Sequence, residues 1–170
     1  MTVHEIPIAD RAPTVGAGAP VSAVMSPIGL MVDAEERVSV AFELAAREGA
    51  HYLAVMAGSQ GCVGLVGIDE LRVWAEAPAA GTRPPIGALV DRPDVRIRPA
   101  APLVEAARLM ATYQTDAVLV ADGARLVGLL TWRDVVRWVA GLTDPRAERR
   151  SSRPALFVVP SAFERLAGAQ

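Results

Sequence analysis

The chain has no lysine: all 17 of its basic residues are arginine. It also holds one cysteine and two histidines, and aromatic residues make up only 5% of it. Each scarcity closes off a class of function. With Cys62 alone, there is no partner for an intrachain disulfide and no cysteine set for a structural zinc site. A cysteine beside an apolar run, here in Gly61-Cys62-Val63-Gly64, is expected to be a buried packing thiol. So few histidines form no paired-histidine metal motif, and no nucleophile–base pair has readable spacing. No P-loop is present. The carboxylate pair Glu35-Glu36 is expected on an exposed helix start. Enzyme activity is therefore not expected.

Charge of one sign is also missing. The net charge is −2, and no broad basic face suits a nucleic acid. The one basic run, Arg146 to Arg153, reads as a solvated linker, with contact to a phosphate or an acidic partner as the alternative. No apolar stretch reaches membrane-spanning length. The first ten residues lack the basic region and apolar core of a signal peptide. A reducing cytoplasm is the expected location, with no membrane and no nucleic-acid partner.

What is present is a globular composition, 52% hydrophobic and 21% charged, in 170 residues. That length suits one ordinary domain or two small fused ones. Alanine, at 31 residues, predicts compact units with thin side-chain layers. The chain also matches itself when shifted by 64 residues. Gly64-Leu65-Val66 falls on Gly128-Leu129-Leu130 and Val40 on Val104, with no gap needed from about 24 to 75. The first copy is placed at 20–76 and the second at 84–141.

Each copy predicts the same elements. A short extended piece (30–32 or 95–97) is followed by a helix (38–48 or 103–113). Leu103, Ala106, Ala107 and Met110 have the spacing of a buried helical stripe. A strand follows (52–56 or 117–120), then a tight turn and a second strand (62–66 or 126–130). A last helix covers about 69–75 or 133–140. This is an α/β (α+β) fold of two β-α-β-β-α repeats. One repeat of about 55 residues has a marginal core, so two are expected to pack sheet to sheet with pseudo-twofold symmetry. Pro78, Gly81, Pro84 and Pro85 mark the linker. Residues 1–19 read as a flexible lead-in. The tail, 142–170, carries a candidate strand around "ALFVV". A short helix after Ser161 follows, with Glu164 completing a capping box.

One stretch carries a mechanism: Gly128-Leu129-Leu130-Thr131-Trp132-Arg133-Asp134-Val135. Thr131 and Asp134 stand three residues apart where a strand passes into a helix, so both can face one mouth. Two readings are open. Thr131 caps the helix, with Asp134 favoured by the helix dipole. Alternatively, the pair binds a ligand.

This stretch resembles the Gly-x-x-Thr-x-x-Asp signature of cystathionine-β-synthase (CBS) domains. The duplication and element order extend the resemblance to about 120 of the 170 residues. It implies a tandem, stand-alone Bateman module that regulates and does not catalyse. The implied ligand is an adenosine compound: AMP, ADP, ATP or S-adenosylmethionine. Asp134 would accept from ribose hydroxyls, Thr131 would meet the ribose–phosphate edge, and Arg133 would reach a phosphate. Val95, Arg96 and Ile97 would line the base, and Thr115, Asp116 and Ala117 would complete the wall. The chemistry is sound, because a carboxylate can take two ribose donors and helix-terminal amides suit phosphate.

The chain departs from the family at the corner before the middle strand, where a basic residue and a proline are usual. Asp116-Ala117 and Tyr52-Leu53 stand there, and Asp116 would repel a phosphate unless an arginine offsets it. In the first copy, Gly67 and Glu70 replace Thr131 and Asp134, which predicts one effective site per chain. A homodimer is expected, with Trp74, Trp132 and Trp138 as candidate interface anchors. The regulated protein is not named by the sequence. A protein-interaction or assembly module without nucleotide binding is the alternative function.

Overall fold

The computed structural model describes residues 18–77, 84–90 and 95–142, with the backbone of Leu156–Val158. The first repeat consists of β1 (Leu30–Asp33), α1 (Val38–Glu48), β2 (Tyr52–Met56), β3 (Cys62–Gly67) and α2 (Ile68–Glu76). The second consists of β4 (Arg96–Ile97), α3 (Leu103–Tyr113), β5 (Ala117–Asp122), β6 (Arg125–Thr131) and α4 (Trp132–Val139). The β-α-β-β-α order is thus present twice. In both repeats the first strand pairs parallel with the second, which forms an antiparallel hairpin with the third.

Alternation along the middle strands explains the layering. Leu53 and Val55 of β2 face one way, into a core with Val38, Ala41 and Ala45 of α1 and Leu71 of α2. Val118 and Val120 of β5 do the same with Leu103, Ala106 and Met110 of α3. The residues between them point to the opposite face. There Ala54 and Leu119 meet with Cys62 in a third cluster, flanked by Met31, Leu65 and Leu126. The two sheets therefore pack on each other, each with its helices on the outer side. Alanine at 41, 45 and 106 keeps the helices close to the sheets.

The register corrects one detail of the self-match. The offset is 65 residues from β1 through the middle strand: Met31 pairs with Ala54 as Arg96 pairs with Leu119. It becomes 64 after the hairpin turn, where Leu53 faces Val66 as Val118 faces Leu130. The first hairpin has one more residue, taken up in the turn at Gly58–Gln60. Runs of alanine and valine hide this step, since either offset matches apolar residues to apolar ones. A second correction concerns Glu36, which was expected to be exposed but is buried, at 3% exposure. Its Oε1 accepts the backbone N–H of Arg37 at 2.8 Å, ahead of α1.

The segment before each repeat docks on the other repeat. The turn Val21–Ala23 lies against the second core, where Val21 is fully buried. The turn Ile86–Leu89 lies against the first core, where Ile86 is fully buried. Their backbone bonds repeat at the 65-residue offset. Val21 N–H donates to Ala101 and Ser22 N–H to Pro99; Ile86 N–H donates to Glu36 and Gly87 N–H to Ala34. Burying one such aliphatic side chain contributes about 1.5–3 kcal/mol.

The tail strand, β7 (Leu156–Val158), is present and runs parallel to β1, making a four-stranded first sheet of order β3-β2-β1-β7. The second sheet has three strands, β4-β5-β6. The tail helix after Ser161, the Arg146–Arg153 run and most of the N-terminal lead-in lie outside the described residues. Among the described residues, no helix is long and apolar enough to cross a membrane.

Gly64 and Gly128 occupy equivalent places, and each is closed over by a docking segment. A Cβ at Gly128 would stand 2.9 Å from the Ser26 carbonyl oxygen and 2.8 Å from Met25 Sδ. A Cβ at Gly64 would run into Val90 Cγ1. Nothing lies within 4 Å of a Cβ at Gly29. Gly128→Ala is expected to cost about 1–3 kcal/mol by overpacking, whereas Gly29→Ala should stay within about 0.5 kcal/mol. Denaturant midpoints for both variants check this.

Candidate functional site

The corner where β6 passes into α4 is set by backbone bonding. Thr131 ends β6 opposite Ala117, the first residue of β5. Trp132 N–H then donates to the Asp116 carbonyl at 2.9 Å, tying the start of α4 to the turn before β5. The first repeat makes the same corner, with Ile68 N–H on the His51 carbonyl at 2.9 Å. Structurally, then, His51 corresponds to Asp116 and Tyr52 to Ala117, one residue off the pairing predicted for this corner.

Thr131 is the N-cap of α4, and with Asp134 it forms a complete capping box. The Asp134 amide donates to Thr131 Oγ1 at 3.2 Å. Thr131 N–H and Oγ1–H both donate to Asp134 Oδ2, at 2.8 and 2.7 Å. The capping reading of these residues is therefore realised. It uses one carboxylate oxygen; Asp134 Oδ1 makes no hydrogen bond among the described residues. Half-buried, Asp134 presents that oxygen at the positive end of a helix.

The remaining predicted residues divide into two groups. Thr115, Asp116, Ala117 and Arg133 lie at this corner. Thr115 Oγ1 is turned back on Ala117, donating to its carbonyl at 3.0 Å, and Ala117 is buried. The Asp116 side chain is exposed. Arg133 is exposed too, its guanidinium carbon 6.0 Å from the Trp132 ring centroid. Val95, Arg96 and Ile97 lie along the β5 edge instead. Val95 accepts from Leu119 N–H through its carbonyl, and Ile97 is buried in the second core. The Arg96 guanidinium crosses to the first repeat and donates to the Cys62 carbonyl at 2.7 Å.

Tyr52 belongs to this site and was not among the predicted residues. Burial pushes its phenol above the usual range, and the Asp116 carboxylate pushes it further. Arg133 opposes the rise, while Asp69 and Asp134 add to it. The charges that act on this first-repeat phenol thus come from both repeats. The ring also lies over Gly67, where a Cβ would be 3.7 Å from Tyr52 Cε1. The sequence signal was the pairing of a bulky Tyr52 with Gly67, which stands where the second copy has Thr131.

In the first repeat, Gly67 gives no side-chain cap to α2. Asp69 and Glu70 are both exposed in its first turn, and Asp69 Oδ1 stands 3.2 Å from an Arg72 nitrogen. Among the described residues, no cluster of histidine, cysteine and carboxylate side chains could hold a metal ion. The asymmetry of the two caps is measurable without a ligand. Thr131→Ala is expected to lower stability by about 1 kcal/mol through loss of the cap, seen as a lower denaturant midpoint with an unchanged slope.

The comparisons place this geometry among known proteins. Residues 86–141 match the CBS domain family. No curated protein matches the chain significantly. Among solved structures, CBSX2 in complex with AMP is 25% identical, with a TM-score of 0.58, covering 71% of this chain and 95% of that one. An uncharacterized conserved protein from Pyrococcus horikoshii is 22% identical, with a TM-score of 0.62, covering 82% and 98%. The CBS domain of a bacterial CNNM/CorC family Mg2+ transporter in complex with ATP is 14% identical, with a TM-score of 0.65, covering 76% and 94%. The last two likenesses are of fold. With a capped β6–α4 corner and a repeated β-α-β-β-α order, the chain is similar to CBS-domain proteins, and its residues 86–141 match the model of that family.

Proposed function

We propose that the chain is a non-catalytic regulatory module, a tandem CBS pair that binds one adenosine-containing ligand and transmits its presence to another protein. CBS domains are regulatory modules, and CBSX2, 25% identical over most of its length, holds AMP. The observation that carries the reading is the division of labour at Asp134. Oδ2 holds the helix cap, which fixes the carboxylate, and Oδ1, which makes no hydrogen bond among the described residues, remains to accept a ribose hydroxyl. Arg133 supplies a cation for phosphate, and the backbone of Val95, Arg96 and Ile97 lines the base. AMP, ADP, ATP and S-adenosylmethionine are the candidate ligands. The first repeat offers no equivalent hydroxyl, because Gly67 stands where the second has Thr131.

Calorimetric titration with AMP tests this. One AMP per chain is expected, with most binding lost in Asp134→Ala and little change in Glu70→Ala. A hydrogen bond to a charged group contributes about 1.5–3 kcal/mol, so the Asp134 variant should bind at least about tenfold more weakly. Two equal sites, or a larger loss from Glu70→Ala, would overturn the assignment. If no adenosine compound binds, the capping box alone accounts for Thr131 and Asp134, and the module is one of assembly.

We also propose a homodimer through the outer helices. Trp132, Val136 and Val139 share a face of α4 at i, i+4 and i+7 and are 46%, 52% and 54% exposed. Val73 and Trp74 of α2 are exposed as well, whereas Trp138 packs into its own core. Such apolar exposure on helices at the surface suits a partner helix. Sedimentation is expected to give twice the 17.9 kDa chain mass at micromolar protein. Val136→Glu combined with Val139→Glu should return the monomer.

A further inference from the structure

The corner carries more negative charge than its arginine offsets. Asp116 stands immediately before β5, held there by the bond from Trp132 N–H to its carbonyl. Asp134 lies in the first turn of α4, with Oδ1 outside the cap and no cation within ion-pair distance among the described residues. Asp69 opens α2 on the first-repeat side. Arg133 is the cation among them, and its side chain is exposed beside Trp132. The bond from Trp132 N–H to the Asp116 carbonyl and the cap between Thr131 and Asp134 bring Asp116, Arg133 and Asp134 to one corner, and the charges of all three act on the Tyr52 phenol. Asp69 is partly offset by Arg72 across 3.2 Å; Asp116 makes no side-chain bond among the described residues. A phosphate entering here meets one guanidinium, Arg133, and two carboxylates, Asp116 and Asp134. Each added phosphate brings negative charge that the corner does not neutralise.

We propose that this corner selects adenosine compounds of low negative charge, a nucleoside, a monophosphate or a sulfonium such as S-adenosylmethionine, and discriminates against polyphosphates, with Asp116 as the residue that sets the preference. The inference rests on the adenosine-binding reading above and specifies its ligand class. Asp116 is suited to the role because its side chain is exposed and unbonded, while its structural work is done by its backbone carbonyl.

The experiment is a titration of the full chain with adenosine, AMP, ADP, ATP and S-adenosylmethionine. EDTA is included so that no divalent cation masks the phosphates. Wild type, Asp116→Asn and the exposed control Asp122→Asn are compared. Affinity is expected to fall from AMP through ADP to ATP, with S-adenosylmethionine above ATP. Asp116→Asn should narrow the AMP-to-ATP ratio by about fivefold, the upper range for one partly exposed charge; Asp122→Asn should leave it as in wild type. Raised salt should narrow the wild-type ratio through screening. ATP binding as tightly as AMP, or an AMP-to-ATP ratio unmoved by Asp116→Asn, would overturn the inference while leaving the adenosine site intact. Failure of every adenosine compound to bind wild type would overturn both.

Discussion

The fold depends on a reciprocal exchange. Neither repeat completes its own core: Val21, from ahead of the first repeat, is buried in the second, and Ile86, from ahead of the second, is buried in the first. A β-α-β-β-α unit with two helices on one side of a three-stranded sheet has an open end, and a short apolar turn from elsewhere closes it. Because each repeat supplies the other's closing turn, the two halves are joined by more than their sheet-to-sheet contact. Gly64 and Gly128 follow from this. They sit on the third strand where the closing segment crosses, and a side chain there would hold it off.

The exchange also reaches the candidate site. Ser26 and Leu129 trade backbone bonds at 2.8 Å just before Thr131, so the segment that closes the second core also steadies the end of β6. The cap at Thr131 then fixes the start of α4, and the tie from Trp132 to Asp116 fixes the turn before β5. Capping and binding are often set against each other as readings of a Thr-x-x-Asp spacing. Here they use different oxygens of one carboxylate. A side chain already ordered by its cap loses little further freedom on binding, which favours its use for recognition.

Much of this was legible in the chain. Helices 38–48 and 103–113 follow from their apolar stripes, and the middle strands from their alternation between flanking turns. Thr131 and Asp134 were visible because a capping box is a local pattern, written within four residues. Long-range features were less visible. Val21 and Ile86 lie in short apolar stretches that predict burial somewhere but not on which repeat. Glu36 read as exposed because its burial depends on Ile86, fifty residues away, donating to its carbonyl. The 65-to-64 step was masked by alanine and valine, which satisfy either offset. That single step moved Tyr52 from the partner of Asp116 to the partner of Ala117, and with it went the clue that Tyr52 belongs to the site.

The difference between the repeats is best understood from Tyr52 outward. The Tyr52 ring packs beside Gly67, its register partner on the neighbouring strand, within van der Waals reach of a Cβ there. Without a side chain at 67 the N-cap of α2 makes no side-chain bond, so the first repeat lacks the hydroxyl of the second. At the second corner the small Ala117 leaves room, and Thr131 can be retained. Burial and, after it, the carboxylates of the second corner hold the Tyr52 phenol of the first above its usual range. The two equivalent corners thus differ in what they offer: the first has Tyr52 beside a glycine N-cap, and the second keeps its side-chain cap and a carboxylate oxygen that the cap does not use.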